Sequence, residues 1–289
     1  MAEALDIELV ELADWNCCGG VSAASLSQGA LEALGRRNLS RVPEDAPELL
    51  CPCPHCYTSF ARALSSVAED APGQWSVRLR SILDVFADEE VLALLTERRV
   101  EPLTDLAMVG YYGCKLTRPD PEAAGLAAVS PSGASSPAEG PGPIERIIEA
   151  CGATPVAWSA ASDCCGSVLG VADVEVAEEL LGGIYQAVLE AEAEAIVVAC
   201  PLCHLNLDSR QHQVSQRLGR GVDVPVFFVT ELMAVALGME ESEAWLDRHV
   251  TSPLAMFIKF VEAEQEREYW GEEAPGPQIA ESHVESPKT

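Results

Sequence analysis

The sequence predicts an α/β protein built from two pseudo-repeated units, each with a short, mostly parallel sheet flanked by helices. Two observations carry this. Apolar, strand-like runs alternate with helix-like segments along most of the chain, the order expected when parallel strands are joined by crossover helices. The cysteines also repeat. CCGG at Cys17–Gly20 is followed by CPHC at Cys53–Cys56, and CCGS at Cys164–Ser167 is followed by CPLC at Cys200–Cys203. In both copies 34 residues separate the second Cys of the pair from the first Cys of CPxC, and all eight thiols match under a shift of 147.

Taken in order, Asp6–Leu12 alternates charged and apolar residues, as a half-buried strand does, and Ala23–Arg37 has helical spacing in Leu26, Ala30, Ala33 and Leu34. Glu48–Cys51 is a strand leading into CPHC, and Tyr57–Val67 continues as a helix. Leu106–Tyr112 reads as a buried strand running to Cys114. Residues 119–143, rich in Pro, Gly, Ala and Ser, form a loop or surface insertion with no core of their own. Ile144–Ala150 restarts a helix, Pro155–Ser159 is a strand and Val174–Glu194 a helix. Ala195–Ala199 is a strand running directly into CPLC, and Val224–Val229 with Glu231–Gly238 adds a final strand–helix step. The units are expected at 1–104 and 105–255, followed at 256–289 by a helix and an acidic tail. The 147-residue shift aligns Met1 with Ile148, so the strand, cysteine and helix that open the second unit have no counterpart in the first. The first unit is therefore expected to be truncated at its N-terminus, through a misplaced start codon or loss of the opening strand and cysteine.

With 289 residues the chain can bury two ordinary cores. Its 18 basic and 46 acidic residues give a net charge of −28, a field that repels nucleic acid and anionic membranes. The most apolar stretch, Val224–Met239, contains Glu231 and is too short to span a bilayer. The N-terminus has neither the basic nor the apolar region of a signal peptide, so a reducing, cytoplasmic setting is expected. Eleven cysteines in a small secreted domain would read as disulfides, but adjacent and CxxC pairs in a long chain are metal or redox patterns.

The chemistry follows from the spacing. An apolar run places Cys53 and Cys200 at strand ends, and the residues after Cys56 and Cys203 start helices, whose N–H donors and positive dipole end favour thiolates. Pro54 and Pro201 suit a first turn because they have no N–H to orphan there. Neighbouring cysteines diverge in a strand and lie about 100° apart on a helix, so both reach one centre only where the backbone is irregular or the centre is large. Gly19 and Gly166 give that freedom. A tetrahedral zinc takes four such thiolates, whereas a polynuclear iron–sulfur cluster accommodates adjacent cysteines more readily.

The doubled CC-G and CPxC pattern, the lone Cys after a strand in YYGC (Tyr111–Cys114), DWNCCG at Asp14–Gly19, CPLCHLNLD at Cys200–Asp208 and PVFFVTELMAVALG at Pro225–Gly238 resemble the CCG-domain signature of the heterodisulfide reductase B-subunit family. The resemblance runs from residue 5 to about 255. It implies a non-cubane [4Fe–4S] cluster on Cys114, Cys164, Cys165, Cys200 and Cys203, which would carry catalysis through the cluster. A second cluster, or a zinc, would sit on Cys17, Cys18, Cys53 and Cys56, where the opening cysteine is absent. It further implies cleavage of a thiol–thiol disulfide, that of coenzyme M with coenzyme B or an analogue, between the two clusters. The partners implied are a flavin- and [4Fe–4S]-bearing subunit and a ferredoxin-like subunit. Lys115 and Arg118, flanking Cys114, are the candidates to hold an anionic substrate, against a reading as ordinary basic residues of a solvated loop.

Alternatives remain. The same motif fits an electron-transfer subunit of a succinate/fumarate, lactate or glycolate oxidoreductase, and four thiolates fit a structural zinc module. CPLCH at Cys200–His204 matches a c-type haem attachment pattern, but no export signal supports it and the other copy has Tyr57 where this one has His204. Cys51, which pairs with Val198 under the shift, and Cys151 read as buried core thiols. Trp15 and Trp158 are expected to pack over the CC pairs, and His55, His212, His249 and His283 read as isolated histidines.

Overall fold

A computed structural model describes residues 1–46, 48–70, 77–100, 103–118, 141–170, 172–254 and 256–257. After a 3-10 turn at Glu3–Leu5 the chain runs without regular structure to the first cysteine pair. The strand expected at Asp6–Leu12 does not form. An alternating run becomes a strand only where a sheet edge takes its N–H and C=O groups. Among the described residues no strand pairs with it, and Leu9 and Val10 face solvent.

The expected first helix is two, α1 (Ser22–Leu26) and α2 (Gln28–Leu39), because Ser27 is extended (φ −166°, ψ 151°) and its hydroxyl caps α2 by accepting the Ala30 N–H at 3.1 Å. Then come β1 (Glu48–Cys51), α3 (Pro54–Asp70), β2 (Arg78–Ser81), α4 (Ile82–Phe86) and α5 (Glu89–Arg98). Strands β1 and β2 form a parallel pair, and α2 packs on α3.

The second repeat comprises β3 (Ala107–Tyr111), α6 (Gly113–Thr117), α7 (Pro143–Ala150), β4 (Thr154–Pro155), α8 (Val174–Glu190), β5 (Ala195–Val198), α9 (Pro201–Ser209), α10 (Gln211–Leu218), β6 (Val226–Phe228), α11 (Val229–Ala236) and α12 (Glu241–Leu246). Its sheet is parallel throughout, in the order β4-β3-β5-β6. All four residues of β5 are buried, as a strand covered on both faces must be, and Ile196 and Val198 share one core with Leu181, Ile184 and Val188 of α8. Most of the proposed insertion, residues 119–140, and the tail beyond residue 257 lie outside the described residues. Residues Met1–Pro253 form one compact unit, and Leu254 begins another.

The repeat reaches beyond the cysteines. Leu49 pairs with Leu79 in the first sheet, and Ile196 pairs with Val226 in the second, the same register after the 147-residue shift. The Ser81 N–H donates to Asp84 Oδ2 at 2.7 Å, and at the shifted positions the Phe228 N–H donates to Glu231 Oε2 at 2.8 Å. Among the described residues the first sheet has no counterpart of β3 or β4. No helix of the described residues is long and apolar enough to cross a membrane.

Candidate metal centre

Each CPxC element sits where a strand hands over to a helix. Cys200 is the extended N-cap of α9 (φ −114°, ψ 118°), Pro201 opens the helix, and Cys203 lies in its first turn. Cys53 stands in the same relation to α3. The Tyr57 N–H donates to the Cys53 carbonyl at 3.0 Å, and the His204 N–H to the Cys200 carbonyl at 2.9 Å. The parallel sheets therefore aim both CPxC elements from the carboxyl ends of their strands, where open α/β sheets gather ligands.

The CC pairs turn on glycine. Gly19 (φ +73°) and Gly166 (φ +72°) occupy the same left-handed conformation. In each turn the glycine N–H points back at the first sulfur of the pair, to Cys17 Sγ at 3.4 Å and to Cys164 Sγ at 3.5 Å. The second loop is further fixed by the Tyr111 hydroxyl, which donates to the Asp163 carbonyl at 2.7 Å, and by Asn206, whose amide donates to the Cys165 carbonyl at 2.5 Å.

These loops gather the thiols. In the second set Cys165 and Cys203 lie 3.5 Å apart, Cys203 also reaches Cys200, and Cys114 reaches Cys164. In the first set the Cys18 and Cys53 thiols both lie against that of Cys56. Cys17 is exposed. The two sets meet, because the Cys53 thiol of the first lies against the Cys200 thiol of the second.

Contact between thiols sets their proton affinities. The contact with Cys56 brings Cys18 down to about 6, and the equivalent contact with Cys203 brings Cys165 down to about 6. The contact with Cys200, then that with Cys56, lowers Cys53 to about 2. Although Cys203 lowers Cys200, the contact with Cys53 and burial push it up to about 12. Burial, then the charge of Cys164, raises Cys114. All eleven cysteines are free thiols.

Clustered thiols of this kind fit a metal. Sulfurs sharing one tetrahedral ion sit about 3.8 Å apart, close to the Cys165–Cys203 separation, and the paired glycine N–H groups suit thiolate acceptors. The donor set, all sulfur, is that of zinc or iron–sulfur centres. Cys51 and Cys151, 1% and 0% exposed, are core thiols whose affinity for a proton burial pushes well up.

Lys115 stands between the sets, since its charge acts both on Cys114 and on His55 of CPHC, and α6 packs against α3. Burial holds the His55 imidazole below its usual range, opposed by Cys53 and reinforced by Lys115. Arg118 donates to the Ser162 carbonyl at 3.0 Å, tying it to the loop before Cys164. Trp158 donates to the Gly110 carbonyl at 3.0 Å and packs on Tyr111, whereas Trp15 is exposed and bonds Glu11 rather than covering a cysteine pair.

Reading the histidines as isolated missed one group. His249 Nε2 lies 3.3 Å from Glu231 Oε1, and its ring meets that of His204 edge-on at 4.7 Å between centroids. These residues lie far apart in sequence, and no motif joins them.

Comparison with known proteins places these features. The model of the CCG cysteine-rich domain matches residues 1–61 and 109–208, one segment for each cysteine repeat. The chain is 27% identical over 262 residues to the 8-methylmenaquinol:fumarate reductase membrane anchor subunit of Wolinella succinogenes, covering 86% of this chain and 88% of that protein. It is 25% identical over 280 residues to the B subunit of the ferredoxin/F420H2-dependent CoB-CoM heterodisulfide reductase of Methanosarcina acetivorans, covering 89% and 88%. A crystal structure of a hypothetical protein from Helicobacter pylori shares the fold at a TM-score of 0.52 and 9% identity, over 78% of this chain and 42% of that one.

Proposed function

Because the chain belongs to the cysteine-rich CCG-domain family, that of the heterodisulfide reductase B subunits, we propose that it is an iron–sulfur component of a cytoplasmic multi-subunit reductase acting on a small disulfide. In this reading Cys114, Cys164, Cys165, Cys200 and Cys203 hold a non-cubane [4Fe–4S] centre. Cys17, Cys18, Cys53 and Cys56 hold a second centre or, lacking a fifth thiol, a zinc. An iron–sulfur centre supplies electrons one at a time and iron positions that accept sulfur. The observation that carries the proposal is the Cys53–Cys200 contact, which sets the two thiol groups side by side rather than at opposite ends of the molecule.

The chain's own residues do the rest. The Gly19 and Gly166 N–H groups hold the first sulfur of each pair, and Lys115 supplies positive charge between the sets for an anionic substrate. Arg118, tied to Ser162, braces the Cys164 loop. Electrons come from partner subunits, one with flavin and [4Fe–4S] groups and one ferredoxin-like, so turnover needs the complex.

A second reading is favoured by the 27% identity to a fumarate reductase subunit, in which this chain relays electrons and splits no disulfide. The two divide on one experiment. The complex, purified without oxygen, is assayed with reduced viologen and the coenzyme M–coenzyme B disulfide, and its iron and acid-labile sulfide are measured. Iron, sulfide and disulfide reduction, all diminished by Cys164→Ala with Cys200→Ala, are expected. Iron without disulfide reduction, and a flavoprotein dehydrogenase as partner, would establish electron relay. Absence of iron and sulfide would overturn both readings.

A further inference from the structure

We propose that His204, Glu231 and His249 bind a divalent ion of the zinc class, at a site separate from the cysteine sets. One nitrogen of each ring and one oxygen of Glu231 all lie within 4.8 Å of one another. Glu231 divides its carboxylate between the rings, Oε1 at 3.3 Å from His249 Nε2 and Oε2 at 3.7 Å from His204 Nε2. Nitrogen and oxygen ligands of a tetrahedral zinc stand about 3.4 Å apart, so small side-chain movements close this group around an ion.

The donors are held ready. The Phe228 N–H fixes Glu231 Oε2 at 2.8 Å. The segment carrying His249 is pinned to Asp208, which accepts the Val250 and Thr251 N–H groups at 2.8 Å each. The Val226 carbonyl lies against both rings, the kind of second partner that orients a metal-binding imidazole. His249 Nε2 has Glu231 Oε1 as its partner, but the His204 nitrogen that faces the same carboxylate has none. His204 Nε2 and His249 Nδ1 are buried without a hydrogen bond, and the His249 side chain is 4% exposed. A buried imidazole nitrogen facing a carboxylate at 3.7 Å is left unsatisfied, and a cation between them answers both.

The internal repeat supplies a built-in comparison. The positions equivalent to His204 and Glu231 in the first unit are Tyr57 and Asp84. Asp84 makes the same cap to the preceding strand, so the carboxylate has a structural duty in both units. Among the described residues, only in the second unit is it joined by two imidazoles. His204 follows Cys203 in α9, so an ion there ties the helix bearing Cys200 and Cys203 to α11 and to the His249 segment.

The test uses the full chain with its iron in place, dialysed without oxygen against zinc chloride and then desalted. One zinc per chain is expected beyond any on the cysteines, with nitrogen and oxygen scatterers at the zinc absorption edge. His249→Gln should lose that zinc while iron and sulfide stay unchanged. Glu231→Gln keeps the cap, since its amide oxygen still accepts the Phe228 N–H, and should weaken zinc retention by roughly 100-fold or more, given that second-shell losses alone cost about 10–100-fold. If His249→Gln disturbs folding, Glu231→Gln decides by the same measure. Zinc content equal in wild type and both variants, no zinc retained by the wild type, or sulfur scatterers alone would overturn the proposal.

Discussion

Replacing Gly166 by alanine tests whether the CC turn depends on glycine for its geometry. At φ +72° a β-carbon costs about 1–2 kcal/mol in backbone strain. It would also stand 3.1 Å from Ala177 Cα, 3.3 Å from Ala177 Cβ and 3.2 Å from Leu180 Cδ1, all on α8. The first of these is backbone of a long packed helix and yields little, so crowding adds about 1–2 kcal/mol. The sum, about 2–4 kcal/mol, lowers the unfolding midpoint by roughly 5–15 °C in a unit of this size. The control is Gly183→Ala in the same α8. Its β-carbon meets nothing within 4 Å, and replacing a mid-helix glycine should stabilise by about 0.5–1 kcal/mol. Circular dichroism melts of the anaerobic full chain would measure both, with iron content followed in parallel, since the strained turn also withdraws the Gly166 N–H from Cys164. Two midpoints moving in the same direction, or Gly166→Ala melting like wild type, would refute the reasoning.

Further outcomes follow from single contacts. Gln211 is buried and pairs with the Val224 backbone through both amide atoms, at 2.7 and 2.9 Å, so Gln211→Leu strands an N–H and a C=O and should cost about 2–4 kcal/mol in urea unfolding. Burial, then the Asp208 charge, raises the Tyr185 phenol well above its usual range. Its contribution to stability is therefore full below the unfolded value near pH 10 and is lost above it by about 1.4 kcal/mol per pH unit. Urea titrations from about pH 8 to 11 should show a shallower alkaline decline in Tyr185→Phe, and an unchanged slope would count against the assignment. Cys51→Ala and Cys151→Ala should leave iron and sulfide at wild-type levels, because both thiols are core side chains; loss of iron in either would return that thiol to the ligand set.

The internal duplication, the α/β alternation and the strand-end placing of the CPxC cysteines could be read from the residues alone, because each rests on local spacing. A cysteine before a proline at a strand end, or one beside a glycine, has few places to go. The misreadings share a cause. Asp6–Leu12 has a strand's pattern but no edge to join, the Leu26 side chain turns to solvent where Ser27 breaks the helix, and Trp15 faces outward. In each, periodicity records which residues could be buried, whereas burial itself depends on a neighbour from elsewhere in the chain. The meeting of Cys53 with Cys200, the position of Lys115 between the sets, and the approach of His249 to His204 and Glu231 belong to that second class. Packing between elements remote in sequence decides them, and no spacing along the chain encodes such a distance.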